Sequence, residues 1–136
     1  MRQPIPRGTG LRRGGMVWVL ALWGSQGPSL VRAQDAGAEI QRIEDVEVLF
    51  EEGVTAFQQE NYDLAYRRFR RITEYPLNQR TTAALLRAGK TLYQQGEYAE
   101  ARSLLQTLVR RFPQSRYRED ARLVTDYARQ RAARGA

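Results

Sequence analysis

The side chains that most often do chemistry at neutral pH are missing from this chain. Among its 136 residues there is no His and no Cys. That removes the commonest general base, the commonest metal ligands, every thiolate nucleophile and every disulfide. Carboxylates remain for acid–base work. The acid pairs Glu51-Glu52 and Glu119-Asp120 occupy consecutive positions, and consecutive side chains on a helix point about 100° apart. Neither pair forms a two-carboxylate site. There is no glycine-rich phosphate loop and no metal-ligand spacing. We therefore expect no enzyme, no cofactor and no metal.

Arginine is the other residue type that could carry function. Arg67, Arg68, Arg70, Arg71, Arg110, Arg111, Arg116, Arg118 and Arg122 form clusters of the kind that contact nucleic acid or an anionic polymer. They alternate with apolar residues, as charges on a solvated helix face do. The formal net charge is +7, yet five arginines (Arg2, Arg7, Arg12, Arg13 and Arg32) and no acid fall within residues 1–33. The rest is polarised. Residues 34–66 hold nine acids against one Arg, net −8, and residues 67–136 hold 16 bases against six acids, net +10. Such polarity can align copies or steer a charged partner.

The arginine-rich start leads into Met16–Gly24, MVWVLALWG, eight apolar residues and a glycine. That is far short of the roughly 20 needed to cross a bilayer. A polar, turn-prone stretch follows, then Val31-Arg32-Ala33. This order is that of a secretory signal peptide, with cleavage expected after Ala33. The alternative is an uncleaved anchor. After cleavage no transmembrane span is expected, and export argues against nucleic acid as the partner. The protein is expected to cross the inner membrane into the periplasm.

The remaining chain must be built from elements that position whatever surface does the work. Apolar residues recur at helical spacing throughout, and nothing reads as a strand. The pattern predicts five helices, over about 39–59, 62–75, 81–95, 98–111 and 115–134, after a short polar lead at Gln34–Gly37. Asn61 is expected to break the first helix, Pro76 to end the second, Asn78 to cap the third, and Ser115 to cap the fifth. The fold class is all-α, a stack of antiparallel helical hairpins joined by short connections.

Two of these hairpins repeat. Leu49–Pro76 and Leu85–Pro113 align with Gly53 over Gly89, Tyr62 over Tyr98, Ala65 over Ala101, Phe69 over Leu105 and Pro76 over Pro113. The glycines and alanines are small where paired helices must approach closely, and the tyrosines start each second helix and pack back over the turn. Gly96 caps the third helix; its counterpart is Glu60, so the first turn is expected to be looser. Domain boundaries follow: 1–33 leader, 34–45 lead into the first helix, and 46–136 repeats, with copies at 46–78 and 82–114 and a terminal capping helix at 115–134.

Gly, Tyr, Ala and Pro in register across two copies resemble the tetratricopeptide repeat, whose period is about 34 residues. Here Gly53 to Gly89 is 36 residues. The stretch FPQSRYREDA, Phe112–Ala121, is similar to repeats of bacterial envelope proteins. Examples are the periplasmic Tol-Pal-associated coordinator of cell division and the tetratricopeptide lipoprotein of the outer-membrane assembly machine. The lipoprotein's attachment Cys and the coordinator's long N-terminal coiled coil have no counterpart here.

The resemblance implies a short solenoid with a concave face lined by first helices. Carried onto this chain, Glu47, Phe50, Val54, Phe57 and Gln58 would line it from the first copy. Ala83, Leu86, Lys90, Tyr93 and Gln94 would line it from the second. If the register continues, Asp126 stands where the glycines stand, and Leu123 and Tyr127 join the groove. Aromatic anchors with a polar rim suit a peptide or helix, so the expected role is an envelope adaptor that binds protein. Because about three repeats make a self-supporting solenoid, the second reading is a self-associating subunit, a homo-oligomer or a module of an envelope complex.

Overall fold

The computed structural model describes residues 32–135. The apolar run and the rest of the leader before Arg32 lie outside the described residues. The chain divides into two compact units, Met1–Gln41 and Arg42–Ala136. In the first, residues 32–41 are helical and exposed. The polar lead expected at Gln34–Gly37 is therefore helix. Ala33, Ala36, Ala38 and Glu39 are strong helix formers and outweigh one glycine.

The second unit contains helices α1 (42–58), α2 (Tyr62–Glu74), α3 (Thr81–Gln94), α4 (Tyr98–Arg111) and α5 (Arg118–Gly135). Among the described residues there is no strand. The fold is an all-α stack of helical hairpins. α5 starts three residues later than the sequence predicts. The Ser115 hydroxyl accepts from the Tyr117 N–H at 3.1 Å, and the Ser115 carbonyl accepts from the Arg118 N–H at 3.1 Å. Ser115 thus closes a turn ahead of the helix. Asn78 behaves alike: its Oδ1 accepts from the Arg80 N–H at 2.9 Å, before α3 begins.

Each second helix buries one stripe. In α2 it is Ala65, Phe69 and Ile72; in α4 it is Ala101, Leu105 and Leu108, the same spacing 36 residues on. α3 is buried on most sides because it packs on α2, α4 and α5. It divides two core clusters. Ala83, Ala84 and Ala88 join Val46, Phe50 and Phe69 in one, while Leu85 and Leu86 join Leu105, Leu108 and Ala121 in the other. Each large aliphatic or aromatic side chain so buried contributes about 1.5–3 kcal/mol.

Close approach inside each hairpin explains the glycines. A Cβ at Gly53 would lie 2.7 Å from Cε1 of Phe69, and one at Gly89 would sit inside the van der Waals shell of Leu105. The turns are also equivalent. Gly96 has φ +81°, and Glu60 takes the same left-handed backbone at φ +58°. The Asn61 N–H donates to the Ala56 carbonyl at 2.8 Å, as the Glu97 N–H donates to that of Leu92 at 2.9 Å. The first turn is not looser; it is the same turn held by a residue that disfavours it. Asn61 is not itself the left-handed residue of this turn. It is the N-cap of α2, its Oδ1 accepting from the Leu64 N–H at 3.3 Å.

Candidate partner groove

First helices α1, α3 and α5 follow one another through the stack, and their register decides which side chains share a face. Pro76 to Pro113 is 37 residues, one more than Gly53 to Gly89, because α4 has 14 residues and α2 has 13. Carried forward by 37, the buried positions Ala84, Ala88 and Thr91 of α3 become Ala121, Thr125 and Ala128 of α5, which are also buried. Thr125 is a core position that apolar periodicity overlooks; its hydroxyl donates to the Ala121 carbonyl at 2.7 Å, so the oxygen is satisfied within its own helix.

Several residues expected to line the groove are closed off. Phe50 is buried, with its ring edge-on to Phe69 at 5.7 Å. Arg80 covers it, the guanidinium carbon 4.3 Å from the ring centroid. Glu47 holds Arg80 in place: Arg80 Nε donates to both carboxylate oxygens at 3.0 and 3.2 Å, and Nη2 donates to Oε2 at 2.8 Å. Gln79 Nε2 adds a bond to Oε1 at 3.1 Å. The Arg80 hydrogen bonds hold the Glu47 carboxyl below its ordinary pKa, against a smaller opposing effect of burial, and the Gln79 bond adds to them. Ala83 and Leu86 are buried as well. Ala83 packs with Val46 and Phe50 of α1, and Leu86 with Leu105 and Leu108 of α4 and Ala121 of α5. Phe50 and Leu86 are core residues, not groove anchors.

The open part of the face is narrower. Val54, Phe57, Lys90 and Tyr93 are half-buried, and Gln58 and Gln94 are exposed. Phe57 stands edge-on to Tyr62 at 5.4 Å, and Tyr93 edge-on to Tyr98 at the same distance. Each aromatic pair closes its hairpin over the turn, which fixes one edge of the ring while leaving the other accessible. Arg131 Nε reaches the Tyr93 hydroxyl at 3.4 Å, tying the end of α5 to the end of α3. Leu123 and Tyr127 are 51% and 48% exposed. Arg80 and Arg131 were illegible from sequence as parts of this face, since each acts on a residue more than 30 positions away.

A family model described as a tetratricopeptide repeat matches residues 50–116, from the middle of α1 to the turn before α5. Residues 50–116 are thus similar to tetratricopeptide repeats. No curated protein matches the chain. Tetratricopeptide repeats are in general a non-catalytic fold for protein–protein interaction.

The repeat positions fall where that fold uses them. Gly53 and Gly89 meet Phe69 and Leu105, Ala65 and Ala101 are fully buried, and Pro76 and Pro113 each come two residues after a second helix ends. Several arginines of the second helices and of the turn before α5 engage locally. Arg68 Nε pairs with Glu52 at 2.5 Å and Arg71 with Glu74 at 2.8 Å, while Arg111 and Arg116 lie over Phe112 and Tyr117. These are exposed contacts, screened by solvent. Among the described residues no group of three His, Cys, Asp or Glu side chains could hold a metal ion, and no helix is long and apolar enough to cross a membrane.

Proposed function

We propose that this is an exported adaptor of the bacterial cell envelope that binds a protein partner on the first-helix face of its tetratricopeptide repeats. The observation that carries the reading is the pair of equivalent aromatic stations, Phe57 and Tyr93. Each ring is half-buried and oriented by a tyrosine of the next helix, and each is flanked by an exposed glutamine, Gln58 or Gln94. A fixed aromatic edge beside amide hydrogen-bonding groups suits an extended or helical segment, and ordering it in advance lowers the entropy lost on binding. Export is supported by the Met16–Gly24 apolar run and Val31-Arg32-Ala33. Mass spectrometry of the exported chain is expected to find Gln34 at the amino terminus; retention of residues 1–33 points to an anchor instead.

The groove is tested by crosslinking and affinity capture from an envelope fraction, comparing wild type with Phe57→Ala/Tyr93→Ala. The double variant is expected to keep its helix content and lose its partner. If it captures every partner that wild type does, the groove reading is wrong.

A further inference from the structure

α3 has both of its faces covered: Ala84 and Ala88 on its back pack with Val46 and Phe50 of α1, and Leu86 on its front packs with Ala121 of α5. On the front, Phe50 of α1 is 8% exposed and Leu86 of α3 is 4% exposed, but their counterpart Leu123 of α5 is 51% exposed, with Tyr127 beside it one turn on. On the back, Ala84, Ala88 and Thr91 of α3 and their α5 counterparts are buried. Their α1 counterparts, by the 36-residue register, are Val48, Glu52 and Thr55, and all three are exposed, Val48 at 56%. The front of α5 and the back of α1 are thus the two faces that the stack elsewhere satisfies against one another.

Their charges are opposite. Glu44, Glu51 and Glu52 surround Val48 on α1, Glu52 also pairing with Arg68, while α5 carries Arg118, Arg122, Arg129, Arg131 and Arg134 against three acids. Two of those acids are already engaged, Glu119 with Arg118 and Arg122, and Asp126 with Arg129. We infer that the occupant of the α5 front face is the α1 back face of a second copy, Val48 seating against Leu123 and Tyr127 within a rim of carboxylate–guanidinium pairs. The contact is heterologous, so it extends into an open series of copies or closes a ring. No second helix follows α5 within the described residues to enlarge it. One helix on one helix buries less than the roughly 800 Å² per partner of a standard interface, so the association is weak and falls with salt. Neither face contains Phe57 or Tyr93, so loss of groove binding and loss of self-association are separable.

Sedimentation velocity on the purified protein tests this, at about 20 mM and about 500 mM salt, concentrations that bracket strong and weak screening of surface charge. Wild type is expected to associate with rising concentration at low salt and to dissociate at high salt. Val48→Asp and Leu123→Asp, both at exposed positions and checked for helix content by circular dichroism, are each expected to weaken association at least tenfold. Mixed one to one they retain one intact face of each kind, and are expected to form a heterodimer and nothing larger. Wild type that stays monomeric at low salt overturns the inference. So does a Val48→Asp chain that self-associates like wild type, which would place the contact between two α5 helices.

Discussion

Glu60 holds the left-handed backbone that Gly96 holds in the second hairpin, and its turn makes the same hydrogen bonds. A side chain with a Cβ disfavours that conformation by about 1–2 kcal/mol, while a glycine loses more freedom on folding. Glu60→Gly is therefore expected to stabilise the protein by about 0.5–1 kcal/mol in urea denaturation, and Gly96→Ala to destabilise it by about 1 kcal/mol. No change from either variant means the turn carries no strain. The Glu47–Arg80 pair brings pH into play. Because Arg80 lowers the folded-state pKa of Glu47, the stabilisation is complete above the unfolded value of about 4.3 and fades as pH falls through the folded one. The melting-temperature advantage of wild type over Glu47→Gln is expected at pH 7 and should shrink on acidification below about pH 4. An advantage equal at both ends of that range means the carboxylate's charge is immaterial.

At the scale of helices, the close approach of α3 to α4 rests on one missing methyl group. Gly89→Ala drives a Cβ into Leu105. Overpacking of this kind costs about 1–3 kcal/mol, partly offset by about 1 kcal/mol of helix propensity. If the contact is the cause, Gly89→Ala combined with Leu105→Ala must cost less than the two changes added, by about 1 kcal/mol in a double-mutant cycle; strict additivity would rule it out. Helices bounded by strong punctuation were legible in the sequence. Tyr98–Arg111 is bracketed by Gly96 and Pro113, and both ends come out as read. The helical state of residues 32–41 was not legible, since Gln34–Gly37 carries polar residues with helix-forming alanines between them. Nor was the burial of Phe50 and Leu86. Helical periodicity places them on one face, but whether that face meets solvent depends on the next hairpin, and the cover for Phe50 comes from Arg80, 30 residues on.

For the molecule as a whole, charge is distributed along the order of stacking: acid in α1, base from α2 onward. The bidentate Glu47–Arg80 bond joins one charge from each side, and the remaining polarity is a field for whatever approaches either end. Hairpin geometry, core clusters and repeat register follow from local patterns of Gly, Ala and large apolar residues. The partner-facing surface is what remains after the hairpins have covered one another, which a linear pattern does not encode. Asp126 adds a last consequence. It occupies the station of Gly53 and Gly89 in the register, and its carboxylate is held by Arg129 at 3.4 Å. A helix cannot draw up to α5 there as α2 and α4 draw up to α1 and α3. Grafting a further hairpin against α5 at that station is therefore expected to require Asp126→Gly, so that a new second helix can approach as α2 and α4 do.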